Sequence, residues 1–141
     1  MSDNNIEIRL VKTWQEKDII ELYKAGNWWK ENYDSSKIKP MIKNSYAFAL
    51  AIDNSSGKTV GMGRLISDGI SDAYIQDLVV LDEYRGRKIG QRIINKLIDH
   101  CKKNGILWIG LIAEPGNVGF FSKFNLKPMK NHTPMLYQEQ G

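Results

Sequence analysis

Apolar and polar residues alternate over residues 6–12, the period of a half-buried strand. Thr13-Trp14-Gln15-Glu16 then reads as a capping box, with Thr13 as N-cap and Glu16 reaching back. The spacing of Ile19, Leu22 and Tyr23 predicts a helix with that face buried, ending at Gly26. An aromatic, polar stretch follows at residues 27–33. A short helix over residues 38–44 carries Pro40 in its first turn. Strands are predicted over 46–52 and 58–66, joined by the hairpin loop Asp53-Asn54-Ser55-Ser56-Gly57. Asp68-Gly69-Ile70-Ser71-Asp72 turns the chain into a third strand, 73–81, so the three form an antiparallel meander.

From Lys88 the period lengthens. Ile89, Ile93, Ile94, Leu97, Ile98 and Cys101 fall on one helical stripe, with Gln91, Arg92, Asn95, Lys96, Asp99 and Lys102 opposite. Asn104-Gly105 ends this helix, and residues 106–113 form an almost wholly apolar strand. Strand, crossover helix and strand make a βαβ unit, which sets residues 106–113 parallel to 73–81. A short helix over 118–124 and a terminal strand near 135–138 complete an α/β (α+β) chain, a mixed twisted sheet with helices on both faces.

The 141 residues suffice for one domain with a real core, and residues 1–141 are read as a single domain. The chain has no apolar run of the ~20 residues a membrane helix needs. Met1-Ser2-Asp3-Asn4-Asn5 lacks the features of a secretory signal. Cys101 is the one cysteine, which excludes an internal disulfide and disfavours a thiolate metal site. No His, Cys, Asp or Glu set has metal-ligand spacing, so no metal is expected. These features place the protein in the cytoplasm, without a membrane partner. The net charge of +4 suits an anionic partner: nucleic acid, anionic lipid or a phosphorylated cofactor. It equally suits an ordinary lysine-rich surface.

The location of the charge narrows this choice. The strand 73–81 runs into Arg85-Gly86-Arg87-Lys88-Ile89-Gly90-Gln91, a basic glycine turn that opens directly into a helix. Such a turn offers unpaired N–H groups at the positive end of a helix dipole, where phosphates bind. Arg85, Arg87 and Lys88 add charge for a diphosphate. A tight strand-to-helix turn that happens to be basic remains the plainer alternative. Neither a Rossmann nor a Walker glycine pattern is present. Because the local cluster sits on one turn rather than a long stripe, nucleic acid is not the expected partner.

Arg85-Gly86-Arg87-Lys88-Ile89-Gly90 resembles the Q/R-x-x-G-x-G/A acetyl-coenzyme A signature of the GNAT N-acetyltransferases. Tyr74-Ile75-Gln76-Asp77-Leu78-Val79-Val80 resembles that family's fourth strand, and residues 117–126 resemble its second motif, N-x-x-A-x-x-F-Y-x-K-x-G-F. The resemblance implies a GNAT fold of about six to seven strands with a splayed parallel pair, over nearly the whole chain. It implies acetyl-CoA as donor, its diphosphate on the amides of Arg85, Gly86, Arg87, Lys88, Ile89, Gly90 and Gln91. The pantetheine arm would bond to the backbone of Leu78, Val79 and Val80 in a gap facing residues 111–113, with Asn117 and Phe120 also on the cofactor. An amide near Val79 would stabilise the oxyanion. Three positions depart from the pattern: Lys88 and Asn125 stand where glycine is common, and Phe121 replaces the tyrosine that often protonates the thiolate. A thiol of pKa ~8.5 leaves tolerably without that acid.

The acceptor amine poses the harder problem. An alkylamine of pKa ~10.4 gives up its proton at pH 7 at a cost of about 4.6 kcal/mol. Asp77, Gln76 and Tyr74 stand where a base or water relay is needed. Tyr-Ile-Gln-Asp is similar to the spermidine/spermine acetyltransferase branch, whose Glu-Asp pair holds substrate and water. Gln76 takes the glutamate position and cannot be a base, which leaves Asp77 to orient or deprotonate the amine. A structural aspartate at a strand bend is the competing reading. Trp28, Trp29 and Tyr33 fall where the family lines its acceptor pocket, and read either as an aromatic wall or as core or dimer surface. Arg64 would meet an acceptor carboxylate, or pair with Asp68 or Asp72. His132 is a further candidate base or an exposed loop histidine, and Cys101 reads as core. The resulting expectation is direct acetyl transfer to a small-molecule primary amine, homodimers being common in such folds. A non-catalytic acyl-CoA sensor and a protein lysine or N-terminal acetyltransferase are the alternatives. The acceptor itself is left open.

Overall fold

The computed structural model describes residues 5–139. Most of the segment read as lacking a secretory signal, residues 1–4, lies outside them. The chain divides into two compact units, Met1–Gly110 and Leu111–Gly141.

The first unit is built on a five-stranded sheet in the order β1-β2-β3-β4-β5. Its strands are β1 (Ile6–Leu10), β2 (Ala47–Asp53), β3 (Lys58–Ser67), β4 (Asp72–Val80) and β5 (Trp108–Gly110). The first four pair antiparallel, and β5 joins β4 in parallel across the crossover helix α3 (Ile89–Lys103). Between β1 and β2 lie α1 (Glu16–Ala25) and α2 (Ile38–Asn44), which starts from a short 3-10 turn at Ser35–Lys37.

Strand alternation assigns the two faces of the sheet different work. Phe48, Leu50, Ile52 and Met62 join Ile19 and Leu22 of α1 and Ile38 and Ile42 of α2 in one buried cluster. Each such side chain stabilises the fold by about 1.5–3 kcal/mol relative to exposure. The alternate positions on the other face are small: Ala49, Ala51, Gly61 and Gly63. The stripe Ile89, Ile93, Ile94, Leu97 and Cys101 of α3 is buried there. A Cβ on Gly63 would lie 2.9 Å from Ile93 Cγ2 and 3.3 Å from Leu97 Cδ1. Residue size therefore decides which helix approaches which face. Cys101 is buried, and burial pushes its thiol up, as a core cysteine should show.

Several expectations are corrected. The capping box does not form: α1 starts at Glu16 with Gln15 as an extended N-cap and no side-chain cap. Trp14 explains this, since its indole N–H donates to Thr59 Oγ1 at 3.0 Å and ties the linker to β3. The sheet has five strands among the described residues, fewer than the six to seven implied. The run 106–113 pairs only over Trp108–Gly110, and Leu107 and Ile112 are exposed. Apolar composition alone does not make a strand without a ladder partner.

In the second unit the one helix among the described residues is α4 (Val118–Ser122). Phe120 packs edge-on against Phe121 and Phe124, with centroids 5.1 and 5.3 Å away. Asn125 follows at φ +63°, the left-handed geometry that makes glycine common at this position. The expected terminal strand is absent: residues 135–138 belong to no strand or helix, and Met135, Leu136 and Tyr137 are largely exposed.

Candidate active site

The register of β3 against β4 slips between Met62 and Arg64: Met62 faces Val79, but Arg64 faces Gln76. Two β3 steps therefore span three in β4, and the extra residue is Asp77, with φ +61°. This is a β-bulge, and it re-aims a side chain. Leu78 is turned to the α3 face, where its Cδ1 lies 3.4 Å from the Gly63 Cβ position. Asp77 turns to the opposite face, toward α1.

There Asp77 Oδ2 accepts from Arg64 Nε at 2.6 Å and from Tyr23 OH at 2.7 Å. The two charged side chains are only 17% and 20% exposed. Arg64 Nη1 also reaches Ser45 Oγ at 3.4 Å. Arg64 thus pairs with Asp77 and not, as one reading had it, with Asp68 or Asp72. Asp68 instead accepts from the amides of Ile70 and Ser71 in its own turn. Tyr23, which sequence reasoning treated as core, is the missed member of this cluster. Its helical spacing to Ile19 marks it as inward-facing, but not as facing a strand bulge. Its single proton goes to the carboxylate, because the Met41 sulfur at 3.1 Å is a weak acceptor. Burial, and then the Asp77 charge, hold the phenol far above its ordinary range, so it is a donor at neutral pH.

This cluster opens on a cavity of about 530 Å³. Trp28, Trp29, Tyr33, Arg64 and Asp77 all line it, so five predicted residues meet at one place. The two tryptophans are half-buried, and the turn at Gly26 and Asn27 positions them. Trp28 lies back over Gly26, where a Cβ would meet its ring at 2.6 Å. Trp29 meets Tyr33 edge-on at 5.5 Å and Tyr23 at 6.5 Å. Tyr74 and Gln76 are exposed and are not among the cavity's lining residues; Tyr74 packs on Trp108 at 5.3 Å. His132, in the second unit, is exposed, with Nδ1 2.7 Å from the Lys130 carbonyl.

The basic turn follows β4. A 3-10 turn at Asp82–Tyr84 leads into Arg85. Gly86 has φ +81° and open space where a Cβ would stand, so backbone is bared at this point. Lys88 is the N-cap of α3 at φ +61°, a left-handed conformation that a glycine would adopt more readily, and its side chain makes no cap bond. The first helical bond runs from Arg92 N–H to Lys88 O, so the amides of Ile89, Gly90 and Gln91 have no helical acceptor. Tyr84 anchors the turn by donating to Asp53 Oδ2 at 2.6 Å, and Arg87 lies 4.9 Å over the Tyr84 ring. Hydrogen bonds from Ser55 and Tyr84 pull the Asp53 carboxyl down to about 2. In the second unit, Asn117 is the exposed N-cap of α4 and Phe120 is half-buried. Among the described residues no group of three or more His, Cys, Asp or Glu could hold a metal, and no helix is long and apolar enough to cross a membrane.

The mixed sheet, the bulged β4 and the basic turn ahead of the crossover helix define an α/β fold with one parallel strand pair, and comparison with known proteins specifies its family. Residues 9–125 match the model of the Acetyltransferase (GNAT) family. The chain belongs to this family. It is 34% identical over 108 residues to an uncharacterized N-acetyltransferase, ycf52, of Pyropia yezoensis, covering 75% of this chain and 61% of that protein. It is 32% identical over 68 residues to the chloroplastic serotonin N-acetyltransferase 2 of Oryza sativa subsp. japonica, covering 48% of this chain and 34% of that one. The chain thus spans less than two thirds of the length of either relative. A GNAT-family acetyltransferase structure from Streptococcus pneumoniae superposes with a TM-score of 0.81 at 25% identity, covering 96% of this chain and 99% of that one.

Proposed function

We propose that this chain transfers an acetyl group from acetyl-CoA directly to the primary amine of a small molecule held in the cavity beside Asp77. One observation carries the reading: the β4 bulge directs a carboxylate into a 530 Å³ cavity, on the strand that leads into the basic turn. The turn's residues fit the donor. The amides of Ile89, Gly90 and Gln91 would hold its diphosphate, with Arg85, Arg87 and Lys88 supplying positive charge. When bound, acetyl-CoA supplies an activated thioester.

The chain's own residues serve the amine. Asp77 Oδ1 accepts no hydrogen bond among the described residues, because both bonds fall on Oδ2. Oδ1 therefore orients an incoming ammonium and passes its proton to water. Arg64 and Tyr23 fix the carboxylate's rotamer, so orientation is set before the substrate arrives. Phe121 carries no proton, so no side-chain acid is assigned to the departing thiol.

The test is thiol release from acetyl-CoA by the purified chain across monoamines, polyamines, amino acids and aminoglycosides. Turnover with at least one amine, reduced 100-fold or more in Asp77→Ala at unchanged CoA affinity, is expected. Saturable CoA binding without turnover on any of them would instead make the protein an acyl-CoA sensor.

A further inference from the structure

We infer that the acceptor is an arylalkylamine, with one aromatic ring and one amine joined by a short alkyl chain. The inference rests on the acetyl-transfer reading above and specifies its substrate. The cavity wall is a run of rings that begins at the carboxylate. Tyr23 touches Asp77 Oδ2 through its hydroxyl, Trp29 lies 6.5 Å from Tyr23, and Tyr33 lies 5.5 Å from Trp29 at 90°. Trp28 meets Tyr23 edge-on at 6.2 Å, and Ile38 and Met41 complete the apolar lining. An amine at Asp77 therefore trails its body along aromatic edges and faces. A ring there gains edge-to-face or offset contacts that an alkyl chain of equal area does not.

Charge and size agree with this assignment. The lining holds two acids, Asp34 and Asp77, and two bases, Lys37 and Arg64. Asp34 Oδ1 is occupied by the Ser36 amide at 2.9 Å and its hydroxyl at 2.7 Å, and Asp77 is shared with Arg64. An ammonium at Asp77 Oδ1 lies where the run of rings begins, whereas Asp34 shares its part of the lining with Lys37. A polyamine's second ammonium meets instead a lining with no net negative charge. Benzene fills an apolar cavity of roughly 150 Å³. The 530 Å³ here accommodates a ring, its linker and the reacting end of the donor.

The experiment measures initial rates of the purified chain with acetyl-CoA and tryptamine, 2-phenylethylamine, n-hexylamine or spermidine. The two aromatic amines should exceed hexylamine in kcat/KM by about tenfold, through KM, with spermidine poorest. Trp29→Leu should lower the tryptamine-to-hexylamine ratio of kcat/KM about 2- to 12-fold, the worth of one lost ring contact. Tyr33→Leu should move the ratio the same way, and as Tyr33 is 46% exposed this variant folds even if the tryptophan variant does not. Hexylamine or spermidine equal to the aromatic amines, or a ratio unmoved by Tyr33→Leu, overturns the inference and leaves the acetyl-transfer reading standing. Turnover with none of these four but with an amino acid or aminoglycoside also overturns the inference alone, and no turnover across the wider panel overturns both.

Discussion

Removing either partner of the Arg64–Asp77 pair leaves a charge stranded with most of its side chain out of water. The pair is held at 2.6 Å, with side chains 17% and 20% exposed. Exposed ion pairs contribute about 0.2–1 kcal/mol, whereas breaking a fully buried one costs about 3–5 kcal/mol. The exposure here lies nearer the buried limit, so each single variant should lose about 2 kcal/mol. Arg64→Met and Asp77→Asn suit the test, because asparagine tolerates the φ of +61° at position 77 better than most residues do. With m near 2 kcal/mol/M in urea, each midpoint should fall by about 1 M. The double variant strands no charge, so it should lose about as much as one single variant. That corresponds to a coupling of at least ~1 kcal/mol in a double-mutant cycle read by urea unfolding. Losses that simply add, to within about 0.5 kcal/mol, would show that the two charges are each solvated independently and refute the argument.

Three further outcomes follow from other parts of the fold. Gly63→Val places branched carbon against Ile93 and should cost about 2–3 kcal/mol, lowering the melting midpoint by roughly 6–12 °C in calorimetry. Lys88→Gly relieves a left-handed lysine and should stabilise the fold by about 0.5–1 kcal/mol. It should also weaken CoA binding and flatten its dependence on salt, both measurable by titration calorimetry. Asp53 titrates at about 2 when folded against 3.8 ordinarily, so between these values the unfolded chain binds more protons and stability rises with pH. Its contribution is complete above about pH 4 and lost by pH 2. Asp53→Asn should therefore flatten the acid limb of a urea-midpoint profile over that window, while leaving its slope above pH 5 unchanged.

The order of elements, the meander, the crossover and the basic turn were legible in the chain because each rests on local information. Residue period, turn chemistry and the size alternation of β2 and β3 are written in consecutive residues. The resemblance marked Asn125 as a position where glycine is common, which agrees with its left-handed geometry. The missed features depend on distant partners. Thr13 lost its cap because Trp14 bonds to Thr59, and residues 135–138 form no strand because no ladder partner meets them. The centre of the candidate site belongs to the same class. The sequence marked Asp77 and Arg64 separately, and treated Tyr23 as core. Only the extra residue in β4, counted against its β3 partner, turns the aspartate toward α1 and joins all three. Register is a relation between strands, so no single stretch of sequence contains it.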